Sequence, residues 1–244
     1  MRNIKLTIEY DGTRYHGWQV QQNVETIQGT IEEKLAQITG KAVRLVASGR
    51  TDTGVHALGQ VAHFKTESTL EAMSLLKALN SLLPEDIHIK GAEEVEETFH
   101  ARFGAKGKVY EYRIFNGEFP SPFYRHFSWF IPGTLDLARM RKAATKLKGR
   151  HDFSSFCSAG SDFSSHIREV YEIDVGVRDS LIIIQVEANA FLKQMVRNIV
   201  GTLVDVGRRK LTPLQFGAIL KARDRRKAGA TAPAQGLFLV KVNY

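Results

Sequence analysis

The chain has 244 residues, 43% of them apolar and 25% charged, which is enough to bury a substantial core in one large domain or two small ones. No apolar run approaches the roughly 20 residues of a membrane helix, and the start, MRNIKLTIEYDG, alternates like a strand and lacks the apolar h-region of a signal peptide. The single cysteine, Cys157, excludes an intrachain disulfide and suits a reducing cytoplasm. Net charge is +8, and residues 190–230 carry ten Lys or Arg against two acids, so that segment holds the whole excess. Such a concentration favours a polyanion, most commonly nucleic acid. A solvated basic surface is the competing reading.

In chain order, period-2 stretches predict strands near 3–10, 42–48, 59–65 and 86–95, with helical patterns near 25–38 and 69–82. The order is β-α-β-β-α-β. After the turn-rich HARFGAKGK it recurs, with a strand at 107–115, a helix at 134–148, strands at 168–178 and 181–189, a helix at 192–207 and a last strand at 237–243. This predicts an α+β fold of two ferredoxin-like, RNA-recognition-like halves with mixed or antiparallel sheets flanking a central cleft. The division falls at 1–105 and 106–244. Within 192–207, Leu192, Met195, Val196, Ile199, Val200, Leu203 and Val204 make one apolar stripe, and Arg197 sits on its flank. The segment 116–133 holds three prolines and six aromatics, which predicts an extended loop whose rings either pack on the core or stack on bases.

Metal-ligand spacing, a nucleophile elbow, a phosphate loop and a dinucleotide fingerprint are all missing from the sequence, so the expected chemistry needs no cofactor. One short string stands out, SGRTDTGVHALGQ at 48–60. Its Asp52-Thr53-Gly54 matches the signature of pepsin-like proteases, which need two aspartates sharing a proton. This chain has one, and Arg50, two residues earlier, favours a fully ionised carboxylate. A solitary carboxylate beside a guanidinium fits nucleophilic or electrostatic catalysis instead. A turn whose aspartate caps local N–H groups is the plainer alternative.

GRTDTGVHALGQVAHF resembles the signature of the tRNA pseudouridine synthase A family. IEYDGTRYHGWQ, FHARFGAKGKVYEYRI, ANAFLKQMVRNIVGTLVDVG and APAQGLFLV are similar to further blocks of that family, in its order, across almost the whole chain. The resemblance implies isomerisation of uridine to pseudouridine in the tRNA anticodon stem-loop, at tRNA positions 38 to 40, by a homodimer without cofactor. It implies Asp52 as nucleophile, attacking ribose C1′ or uracil C6, and Arg197 as the basic partner that aims it. Tyr110 matches a tyrosine that stacks on the flipped base and takes the C5 proton, with Tyr112 on the same strand parity as its competitor. Leu237 matches an apolar wall against the base, and Arg50 an RNA contact that holds the target nucleotide out of its stack. The chain departs from the pattern at Thr53, where alanine is usual, and at Lys193-Gln194, where many members carry histidines. Residues 157–167 resemble the family least. A catalytically silent tRNA-binding protein of the same fold is the alternative function.

Overall fold

A computed structural model describes residues 1–160 and 164–244, so Ser161, Asp162 and Phe163 of the unfamiliar segment 157–167 lie outside the described residues. The chain divides into two units, Met1–Lys106 with Phe238–Tyr244, and Gly107–Leu237. No helix among the described residues is long and apolar enough to cross a membrane.

In the first unit, β1 (Arg2–Tyr10) buries Ile4, Leu6, Ile8 and Tyr10 at alternate positions, as a pleated strand against a core must. It pairs antiparallel with β3 (His56–Thr66) on one side and β4 (Ile87–Val95) on the other. Helix α1 (Ile27–Thr39) starts where the Thr26 hydroxyl accepts the Gly29 N–H and stops at Gly40 in the left-handed region. It buries Ile27, Ile31 and Leu35, and α2 (Ala72–Leu82) buries Leu75 and Leu79. The strand expected over 42–48 shrinks to β2 (Val46–Ala47), antiparallel to β3. Its ladder is diverted at Leu45, whose N–H donates to Glu32 Oε1 and whose carbonyl accepts from Gln28 Nε2, both on α1. The strand order β4-β1-β3-β2 with its two helices is the ferredoxin-like arrangement expected from the sequence. One strand is added to it: β10 (Leu237–Asn243) runs parallel to the start of β3, with Phe238 opposite His56.

The second unit is built on β5 (Gly107–Phe115), β7 (Gly149–Asp152), β8 (Ile167–Arg178) and β9 (Leu181–Ala188), antiparallel in the order β5-β9-β8-β7. A two-residue strand, β6 (Trp129–Phe130), pairs parallel with β5 inside the predicted 116–133 loop. Of that loop's rings, Tyr124 stacks on Phe115 at 4.9 Å, whereas Phe119 and Phe123 are exposed. The helix expected over 134–148 is α3 (Leu137–Ala144), capped by Asp136 and continued by a 3₁₀ turn. Helix α4 (Met195–Gly207) buries every residue of the predicted stripe that lies within it. Sequence periodicity passed over β7, which is polar, and α5 (Pro213–Ala222). The latter carries a clear start signal, since Thr212 and Gln215 form a reciprocal capping box with Pro213 at the first turn.

The segment from Arg225 to Ala232 crosses α4 closely. At Gly201 a Cβ would overlap the carbonyl of Ala230, so helix and segment meet backbone to backbone. Gly201→Ala should therefore destabilise the protein by about 1–3 kcal/mol or more, although alanine is the better helix former. Thermal or urea unfolding checks the sign, because helix propensity alone would raise stability.

Candidate active site

Asp52 lies in the first unit, at the head of a turn that leads into β3. Its carbonyl accepts the Val55 N–H at 3.1 Å, and Gly54 takes the positive φ of 74° that this turn requires. The backbone around it is held from one side by His16-Gly17-Trp18. The Trp18 N–H donates to the Thr51 carbonyl at 3.1 Å, and the Trp18 ring is buried. Gly17 has φ +85°, and a Cβ there would come within 2.6 Å of the Thr51 carbonyl oxygen. From below, the buried hydroxyls of Tyr10 and Thr51 are hydrogen-bonded at 2.8 Å. Burial pushes the Tyr10 hydroxyl well above the usual tyrosine range, so it stays a neutral hydrogen-bonding group. On the near strand, Gln60 Nε2 donates to the Gly49 carbonyl and the Ser48 hydroxyl donates to Gln60 Oε1. Asp52 is half-buried at the top of this frame, and Arg50 is exposed beside it.

Tyr110, Arg197 and Leu237 belong to the second unit. Tyr110 lies on β5 opposite Val186, is 8% exposed, and meets the Phe191 ring edge-on at 4.9 Å. Tyr112, two positions on, shares its strand parity but has a different occupation. Its ring is fully buried against Gly236, where a Cβ would come within 2.6 Å of Cζ, and its hydroxyl donates to the Pro233 carbonyl at 2.8 Å. Burial raises the Tyr112 hydroxyl far above its ordinary range, and the positive charge of Arg197 opposes that rise. Arg197, on α4, donates from Nε to the Ala232 carbonyl at 2.7 Å, while the Ala232 N–H donates to the Arg197 carbonyl at 3.1 Å. Arg197, expected on the flank of the apolar stripe, is half-buried. Leu237 is 6% exposed and directly follows Gly236. The stretch Ala232–Leu237 thus links Arg197 to Tyr112 and ends on the leucine.

Sequence reasoning missed Gly17, Phe191, Asn198 and Gly236. All four lie inside the quoted blocks, and for Gly17 a glycine next to Trp18 was the available signal. The basic segment is less uniformly positive than its sequence suggests. Arg209 pairs with Asp136 at 3.2 Å, Arg223 with Asp152 at 3.2 Å and Arg226 with Asp224 at 2.9 Å. Asp136 and Asp152 lie outside 190–230 in the chain yet neutralise charge within it. Hydrogen bonds from Arg226 bring the Asp224 carboxyl down to about 2. Arg208, Lys221 and Lys227 remain exposed.

A protein-family model described as tRNA pseudouridine synthase matches residues 6–104 and 143–244. The chain belongs to that family. The chain is 49% identical to the tRNA pseudouridine synthase A of Thermoanaerobacter sp. (strain X514) over 244 residues, covering 100% of both. It is also 49% identical to that of Ruminiclostridium cellulolyticum over 245 residues, again covering 100% of both. Among solved structures, the chain is similar to one in a Cbf5-Nop10-Gar1 complex at 13% identity and a TM-score of 0.38, covering 96% of this chain and 57% of that one. Asp52, Arg50, Arg197 and Leu237 fall within the family-matched stretches, and Tyr110 falls between them.

The two tyrosines can be separated experimentally. Tyr112→Phe removes one buried hydrogen bond and should cost about 1 kcal/mol of stability, with turnover largely retained. A Tyr112→Phe protein of unchanged stability but no turnover would reassign the roles of the pair.

Proposed function

We propose that this chain converts uridine to pseudouridine in the anticodon stem-loop of tRNA, with the Asp52 carboxylate as nucleophile. The observation that carries the reading is the Asp52 turn, gripped by Gly17 and Trp18 above and by Tyr10 below. A nucleophile that must meet a base turned out of its stack gains from a backbone fixed before the substrate arrives. The reaction breaks the N1–C1′ bond, rotates the uracil and joins C5 to C1′. The proton lost from C5 is balanced by the one gained at N1, so substrate and product contain the same atoms. Attack of Asp52 at C1′ or at C6 are both compatible with this balance.

In this reading Arg197 pairs with the carboxylate and holds it ionised and aimed. Tyr110 stacks on the base and accepts the C5 proton, Leu237 forms the apolar wall against the ring, and Arg50 helps keep the nucleotide extruded. Tyr112 is fully buried with its hydroxyl on the Pro233 carbonyl, which commits it to the core and supports Tyr110 as the stacking residue. The sequence resemblance supports a homodimer, and the single buried cysteine suits a cytoplasmic setting.

Anticodon stem-loop RNA carrying tritium at uracil C5 provides the test. The wild-type protein should release label to water, and Asp52→Asn should bind the RNA with turnover abolished. Release by Asp52→Asn at the wild-type rate would remove Asp52 from the role. Binding without any release by the wild-type protein would leave a silent tRNA-binding protein. Affinity should also fall with salt, with a logarithmic slope of about 0.9 per duplex phosphate neutralised. Filter binding across a salt series measures that slope, and a flat series would take the 190–230 cluster off the RNA surface.

A further inference from the structure

Arg225 belongs to the basic segment, yet its guanidinium turns inward. Nη1 donates to the carbonyls of Ala228 at 3.3 Å and Gly229 at 3.0 Å. Nη2 donates to Asn198 Oδ1 at 2.9 Å and to the Thr231 hydroxyl at 3.0 Å. Both terminal nitrogens are therefore occupied within the protein, which is not the disposition of an arginine that awaits a phosphate. Asn198 is fully buried one residue after Arg197, and it joins three segments. Its Oδ1 also accepts the Thr231 hydroxyl at 2.7 Å, and its Nδ2 donates to the Phe156 carbonyl at 2.8 Å and to the Ser158 hydroxyl oxygen at 3.2 Å.

The same strap is fastened to α4 at two further points. The Gly229 N–H donates to the Thr202 hydroxyl at 2.9 Å, and the Ala230 carbonyl sits over Gly201. One residue beyond the strap's Thr231 comes Ala232, whose carbonyl receives Arg197 Nε. An arginine side chain has several torsions, and an acceptor for its Nε helps fix its direction only if that acceptor is itself immobile.

We propose that Arg225 is a positioning residue for Arg197. It gathers the 228–231 strap onto Asn198 and so fixes the Ala232 carbonyl that orients the Arg197 guanidinium. This rests on the reading of Arg197 as partner of the nucleophile. Arg225 touches neither substrate nor reacting atoms. Its removal acts on the chemical step through Arg197, and tRNA affinity is carried elsewhere.

The experiment is single-turnover tritium release by the full-length Arg225→Met and Arg197→Met proteins and their double variant, with tRNA affinity measured alongside. Arg225→Met should bind tRNA within about threefold of wild type but react about 10²-fold more slowly. Added guanidinium ion should recover part of the lost rate. The double variant should be no slower than Arg197→Met alone, since Arg225 acts only through that residue. Wild-type turnover by Arg225→Met, beside an inactive Arg197→Met, would overturn the proposal and leave the role of Arg197 standing. An unchanged single-turnover rate with weakened tRNA binding would overturn it in favour of a phosphate contact. Wild-type turnover by Arg197→Met would overturn the parent reading and this proposal with it. If Arg225→Met does not fold, Arg225→Lys replaces it, because an ammonium keeps the charge but lacks the two-nitrogen fork that reaches all four acceptors. A folded, slow Arg225→Lys that retains tRNA affinity supports the proposal, and one that reacts at the wild-type rate overturns it.

Discussion

The carbonyl of Ala230 occupies the space where any side chain on Gly201 would begin. That contact brings a strap of backbone down onto α4, and the strap then has polar groups that need partners away from water. Asn198, Thr202 and Arg225 supply them, and Ala232 exchanges two hydrogen bonds with Arg197 at the strap's end. A buried carbonyl or amide left without a partner costs free energy on the scale of a lost hydrogen bond. The network is therefore satisfied as a whole or expensive as a whole. The Asp52 turn follows the same principle with other residues, since Gly17 lets one stretch of backbone lie directly on another and Tyr10 closes the remaining polar contact.

This view changes what the chain's positive charge means. Summed along the sequence, residues 190–230 form a strongly basic block. In space, acids from α3's cap and from β7 reach Arg209 and Arg223, while Arg226 is held by its neighbour Asp224. Exposed ion pairs of this kind add little stability, but they reduce the charge presented to a polyanion. Arg225 is an internal cross-link rather than part of a surface field.

Much of the fold was legible because it rests on periodicity. The alternation in β1 and the seven-residue stripe ending in α4 follow from which faces must be dry. What periodicity could not show has local physical causes. Strand β2 is cut short because α1 side chains take the backbone groups of Leu45. Strand β7 has no apolar alternation to read, and β10 sits with the first unit because strand partners are chosen across the chain rather than along it. For the candidate site, the motif blocks singled out Asp52 and Arg197. They could not show that Tyr112 is committed to Pro233, nor that Asn198 and Arg225 share a network, because such bonds join positions far apart in sequence.

The placement of β10 bears on how the protein is made. The sheet that carries the Asp52 turn takes one of its strands from Phe238–Tyr244, which follows the whole of the second unit. On a ribosome the chain emerges in order, and domains that are continuous in sequence can fold as they appear. The first unit cannot complete its sheet in that way. The start of β3, where His56 and Ala57 await Phe238 and Leu239, stays without this partner strand until Gly107–Leu237 has been synthesised. The aspartate's frame is thus among the first parts of the protein to be translated and among the last to be finished.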